Sequence, residues 1–466
     1  MLFSSITFLY YFLPLLLLIY FIVPSKFKNI ILLIFSLIFY FYGEPKHIWI
    51  LIFSCLINYY AGKGIEKSQN TKLSKVILII TLIINIGMLV YFKYTDFIIE
   101  NINNIFNSHL SLLNIVMPIG ISFFTFQTIS YIIDVYKGHV KASKSIFSFA
   151  TYVCLFPQLV AGPIVRYETI SEELQSRKTT VKNFSQGITR FVIGLSKKIL
   201  IANVLGELCL NLAGLTEATI ISHWIKAISF SLQIYFDFSG YSDMAIGLGL
   251  MFGFHFLENF NFPFIASSIT DFWRRWHLSL SSWFKDYVYI PLGGSCVSKL
   301  KWIRNIVIVW FLTGIWHGAS WNFIVWGLYF AVLLLLEKIL FQSFLKKHKI
   351  FSHIYTIFLV LISFVIFNQT DFQGIIDSLK GMFGLSQIQW INNEMLYYFK
   401  SYFVIMIISI ISATPLITSF IKSLKKKEKF NNIINIMEPI IIGLLLIICT
   451  AFLIDTSFNP FLYFRF

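Results

Sequence analysis

Apolar residues in this chain come in runs of about 20, the length that crosses a bilayer, and such runs recur from end to end. Runs of that kind predict membrane-spanning α-helices, since a helix satisfies its own backbone hydrogen bonds where no water is available to do so. The first run, Ile6 to Val23, has no Lys or Arg before it and no small-residue cleavage site after it. It is expected to stay as a span rather than be removed as a leader.

The polar positions between the runs give direction. Lys26 and Lys28 follow the first run, whereas the next connection holds only Glu44 and Lys46. Lys63, Lys67, Lys72 and Lys75 come next, then a connection after Tyr91 with no positive excess, then Lys137, Lys141 and Lys144. Basic flanks face the cytoplasm, so the start of the chain is expected outside. By the same rule Lys299, Lys301 and Arg304, then Lys346, Lys347 and Lys349, and the basic run Lys422 to Lys429 lie inside, leaving Asp455 to Phe466 outside. Both ends outside requires an even number of crossings, about 12 to 14. Between Phe147 and Phe256 the stretches "FPQLVAGPIVRY" and "FDFSGYSD" are expected to break spans, which membranes tolerate only where protein or a water-filled cavity surrounds the break. No internal repeat is visible, which weighs against the two related halves of many transporters.

Composition agrees. Of 466 residues 57% are hydrophobic and 13% charged, against about 25% charged in soluble proteins. A water-soluble domain is excluded. The net charge of +15 sits in lysines between apolar runs, which fits membrane lipid and not nucleic acid. Five scattered cysteines without a CxxC argue against zinc, haem attachment and a disulfide framework. No metal and no bound cofactor are expected.

Polar groups inside spans are costly and therefore candidates for function. His317 lies in "FLTGIWHGASWNFIVWG", flanked by Gly314 and Gly318 and walled by Trp316 and Trp321. An imidazole there can act as a general base near neutral pH; the alternative is a packed histidine bonded between two helices. Asp271 to Gly294 is amphipathic and rich in Trp, and reads as a helix along the cytoplasmic interface. In it His277 stands beside Arg274, Arg275 and Trp276, where a phosphate-bearing donor can be held by charge-assisted bonds; the alternative is ordinary headgroup decoration. Asp237 and Asp243 fall in an apolar stretch around Gly240. They can orient an imidazole or a donor, or serve the structure, and the structural role is favoured. No Walker loop, GxSxG, HExxH or dinucleotide fingerprint is present.

Five blocks in order, "ISFFTFQTISYIIDVYKG", "FPQLVAGPIVRY", "YFDFSGYSDMAIGLGLMFGFHFLENFNFPF", "SITDFWRRWHLSLSSWFKDYVYIPLGG" and "GIWHGASWNFIVWG", together resemble the membrane-bound O-acyltransferase (MBOAT) superfamily. The nearest branch resembles the bacterial alginate O-acetylation membrane proteins, and the closing "NPFLYFRF" also matches. The resemblance implies an all-α polytopic protein, a ring of transmembrane helices around a thinned centre with re-entrant and interfacial helices. Residues 1–112 would be N-terminal transmembrane helices, 113–336 the catalytic core, and 337–466 the C-terminal helices with an extracellular aromatic tail. It makes His317 the match of the active-site histidine and His277 that of the second, less strictly required one. His277 would then stand on the cytoplasmic side and His317 deeper. Arg274, Arg275, Trp276, Asp237, Asp243 and Trp316 would contact the donor.

It further implies an acyl thioester donor, acetyl-CoA or another, a polysaccharide acceptor, and a separate periplasmic or extracellular O-acetyltransferase as partner, in a bacterial cytoplasmic membrane. Tyr463, in "FLYFRF", resembles the acyl-carrying tyrosine of a C-terminal aromatic motif; the alternative is an interfacial anchor. Transfer of D-alanine to teichoic acid stands as the alternative within the class, although "YIPLGG" looks more like the alginate type. A non-catalytic transporter or flippase is the alternative from another class.

Overall fold

The computed structural model describes residues 1–160, 162–455 and 458–460. Every regular element among them is helical. By internal contacts the chain divides into two units, residues 1–191 with 242–257, and residues 192–241 with 258–466.

In the first unit α1 (Phe8–Ile22), α2 (Lys28–Gly43), α3 (Ile48–Lys67) and α4 (Lys72–Phe106) begin or end at the lysines that mark the apolar runs. Phe3, Phe8, Phe12, Phe39 and Phe156 pack ring to ring at centroid separations of 5.0–6.0 Å. The side-chain amides of Asn58 and Asn85 bond reciprocally at 3.0 and 2.9 Å, joining α3 to α4. The connection expected after Tyr91 is absent. The helix runs on to Phe106, and its 35 residues span about 52 Å, beyond the roughly 30 Å of hydrocarbon. The added turns carry Asp96, whose carboxylate accepts from the backbone N–H groups of Leu113 and Ile115 at 2.8 and 2.9 Å.

After α5 (Ile121–Lys137) and α6 (Ile146–Cys154), "FPQLVAGPIVRY" does break the helical run as expected. One short turn, α7 (Phe156–Leu159), precedes non-helical residues up to Arg166, and then α8 (Tyr167–Gln175) begins.

The other expected break does not occur. The division between units falls within α9 (Val181–Ser196) and, after a π-turn at Lys197–Asn203 and α10 (Val204–Ala213), within α11 (Ile220–Phe252). α11 continues for 33 residues straight through "FDFSGYSD". Gly240 is spent on close packing rather than on a bend: a Cβ there would stand 2.7 Å from the Gly194 carbonyl oxygen. The aspartates are matched by cations, Asp237 by Lys198 at 2.5 Å and Asp243 by Arg190 at 2.6 Å. A paired carboxylate no longer needs to leave the helix to find a partner.

In the second unit α12 (Ile269–Trp273) and α13 (Leu278–Phe284) precede α14 (Lys299–His317) and α15 (Trp321–Leu336). α16 (Gln342–Lys347), α17 (Lys349–Phe367), α18 (Phe372–Met382), α19 (Asn393–Ser412), α20 (Leu416–Lys425) and α21 (Glu428–Asp455) follow. α14 and α15 meet backbone to backbone. A Cβ on Gly327 would stand 3.1 Å from the Gly314 Cα, and one on Gly314 would run into the Phe323 carbonyl.

Seven described helices are both long and apolar enough to cross a membrane, and Phe8–Ile22 is a shorter apolar one. This is a multi-pass membrane protein. α11 and α14 have the length but interleave polar residues with apolar ones.

Candidate active site

Both motif histidines belong to the second unit, and the fold puts them on one indole. α14 begins at Lys299 and ends at His317, so its far end stands about 27 Å from its basic start. α17 also starts at a lysine, and its last residue, Phe367, lies 5.4 Å from the His317 ring, centroid to centroid. Trp316 at 5.0 Å and Trp326 at 4.9 Å, both edge-on, complete the wall around His317, which is 6% exposed. The other face of the arrangement is His277, 5.9 Å from the same Trp316 ring and 4.6 Å from Phe238.

His277 reaches this position because the segment expected as one interfacial helix is broken. α12 stops at Trp273, α13 starts at Leu278, and His277 between them adopts φ +45°, a left-handed conformation disfavoured for a residue with a side chain. Backbone bonds hold it there: Asn261 N–H to the Arg275 carbonyl at 2.9 Å and Leu278 N–H to the Asn259 carbonyl at 3.0 Å. The amphipathic pattern of Asp271 to Gly294 is real, but the break turns His277 inward, where it is wholly buried.

Asn259 decides which nitrogen of His277 carries the proton. The Ser279 backbone N–H, which can only donate, meets Asn259 Oδ1 at 3.1 Å, so that atom is the amide oxygen. His277 Nδ1 faces the same oxygen at 3.3 Å and must therefore be the N–H that donates to it. Nε2 is left as the bare nitrogen, with no hydrogen-bond partner among the described residues. Sequence reading passed over Asn259. The available signal was a polar residue inside an otherwise aromatic block.

Burial pushes the His277 imidazole down from its ordinary value to about 3, so the ring is neutral at physiological pH. As pH falls through about 6.5 an unfolded chain takes up this proton, whereas the folded protein takes it up only near 3. The folded state is thus fully favoured above the upper value and loses stability steadily below it, by up to about 1.4 kcal/mol per pH unit. The melting temperature of the purified protein is expected to fall between pH 7 and 4.5, and to fall less steeply in His277→Gln. Parallel curves would show that the ring titrates normally.

The remaining expected residues are distributed as follows. Trp276 is buried among Phe260, Phe272 and Phe364, at 5.1–5.6 Å. Arg275 is tied to Asp271 at 3.0 Å. Arg274 is exposed and lines a cavity of about 320 Å³ together with Ser268, Thr270, Lys338 and Lys346. Lys338 and Lys346 were not foreseen there. Glu337 closes one side of this cavity by accepting from the backbone N–H groups of Ile269 and Thr270 at 2.6 and 3.2 Å. Asp237 pairs with Lys198 in the second unit, while Asp243 pairs with Arg190 in the first. Tyr463 lies outside the described residues.

A buried, neutral imidazole with a bare nitrogen, beside a second imidazole in an aromatic enclosure, suits proton transfer to and from an acyl acceptor. Sequence comparison agrees with that chemistry. Residues 139–370 match the membrane-bound O-acyltransferase family, and this chain belongs to that family of acyltransferases. A probable alginate O-acetylase, AlgI, of Pseudomonas aeruginosa is 40% identical over 395 residues, 84% of this chain and 76% of that protein. The peptidoglycan O-acetyltransferase of Helicobacter pylori is 36% identical over 425 residues, 83% and 81% of the two chains. The teichoic acid D-alanyltransferase of Bacillus subtilis is 32% identical over 249 residues, 51% of this chain and 62% of that one.

Proposed function

We propose that this acyltransferase takes an acetyl group from a cytoplasmic thioester, acetyl-CoA or another, and passes it across a bacterial cytoplasmic membrane for O-acylation of an extracellular or periplasmic polysaccharide. The observation that carries the reading is the pairing of His277 and His317 on the Trp316 indole inside an aromatic enclosure. A thioester is reactive and a hydroxyl is not, so a base in a dry site speeds attack while limiting hydrolysis. The acceptor hydroxyl attacks the thioester carbonyl, His317 takes its proton, and the departing thiolate receives that proton as the C–S bond breaks.

The cavity of Arg274, Lys338 and Lys346 suits the phosphates of the donor, since cations and hydroxyls converge there. The basic starts of α14 and α17 put that end on the cytoplasmic side. Around the site we place a ring of spanning helices with a thinned centre, and outside it a separate O-acetyltransferase that completes modification of the polymer. The relatives' names cover alginate, peptidoglycan and teichoic acid, so the group and the acceptor are read directly. Envelope polymers from cells with and without the gene are hydrolysed in mild base, and the released acids are measured. Loss of acetate in the deletion is expected; loss of D-alanine instead assigns the other donor, and unchanged esters refute the reading.

A further inference from the structure

α11 and the π-turn at Lys197–Asn203 meet closely at Gly240, where a Cβ would stand 3.2 Å from the Lys198 backbone nitrogen. That approach brings Lys198 Nζ to 2.5 Å from the Asp237 carboxylate, with both side chains almost wholly buried. Two charges out of water need each other, and they need further hydrogen bonds to be tolerated. One such bond goes to an unexpected place: Lys198 Nζ also donates to the carbonyl of Pro460, beyond the end of α21.

Neighbouring positions contact the same segment. Asn203 Nδ2 donates to Asn459 Oδ1 at 3.2 Å and to the Phe458 carbonyl at 3.4 Å. Lys198 and Asn203 are five residues apart within a π-turn, whose i to i+5 spacing is rare and recurs at functional positions. One turn later Gly206 makes room for a ring, because a Cβ there would stand 3.2 Å from Phe458 Cε1. α21 is held alongside, with Cys449 Sγ 3.5 Å from Ser196 Oγ. Four residues from two helices therefore converge on three consecutive residues that have no helix of their own.

We propose that Lys198, Asp237 and Asn203, with the Gly206 seat, form a clasp that grips the chain at Phe458–Pro460 and sets the base from which the segment carrying Tyr463 works. The clasp explains a buried ion pair lying away from the histidines: its task is to position a moving part, and none of its members touches the acyl group. Its importance for acylation rests on the reading of Tyr463 as acyl carrier; the grip itself does not.

The test separates the two. In a background with the five native cysteines replaced by serine, Asn203→Cys and Asn459→Cys are introduced together, and disulfide formation in native membranes is measured. Cross-linking is expected to be efficient with the clasp intact. It is expected to fall at least fivefold in Lys198→Met/Asp237→Leu, which removes both charges and strands neither, and in Gly206→Leu, which fills the ring seat and leaves the charges alone. Polymer acylation is expected to fall at least tenfold in both clasp variants while insertion and detergent-extracted yield hold. Forming the 203–459 disulfide should restore it, a rescue that a purely structural defect would not show. Equal cross-linking in parent and clasp variants overturns the clasp. Cross-linking lost with acylation unchanged, or acylation lost and not restored by the disulfide, overturns the positioning role. Failure of the carrier reading shows separately, as full acylation in Tyr463→Phe with cross-linking unaltered.

Discussion

His317→Ala is expected to insert and fold as the parent does, yet to leave the envelope polymer without acyl ester. The side chain closes an enclosure of Trp316, Trp326 and Phe367 and stands on the last residue of α14, so its removal disturbs no helix interior. A positioned general base accounts for about 10²- to 10⁴-fold in rate, and the loss in transfer should fall in that range. His277→Ala should cost less, because a neighbour that orients or solvates the reacting groups contributes less than the base. The measurement is ester content per polymer mass in cells making only the variant, with membrane yield followed in parallel. Parent-level ester in His317→Ala removes it from the mechanism. A dead His277→Ala beside an active His317→Ala exchanges the two roles, a result that the bare Nε2 of His277 would readily accommodate.

Tyr463→Phe should be as severe for the polymer and milder for the protein. The change keeps the ring and any anchoring it provides at an interface, and deletes one oxygen. A phenol with pKa near 10 is a better leaving group than a sugar hydroxyl, so an acyl-tyrosine stays reactive enough to hand on its cargo. In the first step the phenol oxygen attacks the thioester carbonyl, and its proton passes through His317 to the departing thiolate. In the second a sugar hydroxyl attacks the tyrosyl ester and the phenol leaves with the proton. Loss of polymer ester in Tyr463→Phe, together with loss of an acyl mass increment on the peptide that contains Tyr463 in the parent, is the expected pair of results. Intact polymer ester makes Tyr463 an anchor.

Hydropathy and lysine placement located the long helices well, because a bilayer demands apolar length and basic ends whatever the tertiary packing. α2, α3, α17 and α21 lie where the apolar runs put them. The misreadings share a cause. "FDFSGYSD" and the stretch after Tyr91 looked like interruptions because their polar residues had no visible partners. The partners come from distant parts of the chain: Arg190 and Lys198 for the aspartates of α11, and the backbone at 113–115 for Asp96. The opposite error befell Asp271 to Gly294, where an unbroken amphipathic pattern hid a left-handed residue at its centre. Local pattern had no access to the Asn259 contacts, twenty residues earlier, that hold His277 in that shape. His317, by contrast, was legible because its surroundings are mostly its sequence neighbours.

The buried pair of Lys198 and Asp237 also bears on how this protein can change over time. Removing one member of a buried ion pair costs about 3–5 kcal/mol, whereas exchanging both for apolar residues is often neutral or better. The ancestral and the substituted states are therefore two comfortable points separated by an intermediate with a naked charge in a nearly waterless interior. A lineage that holds this pair is held by it, and single substitutions at 198 or 237 would surface in a population chiefly as defects. Escape requires two changes to arrive together, or a compensating cation delivered first from another helix.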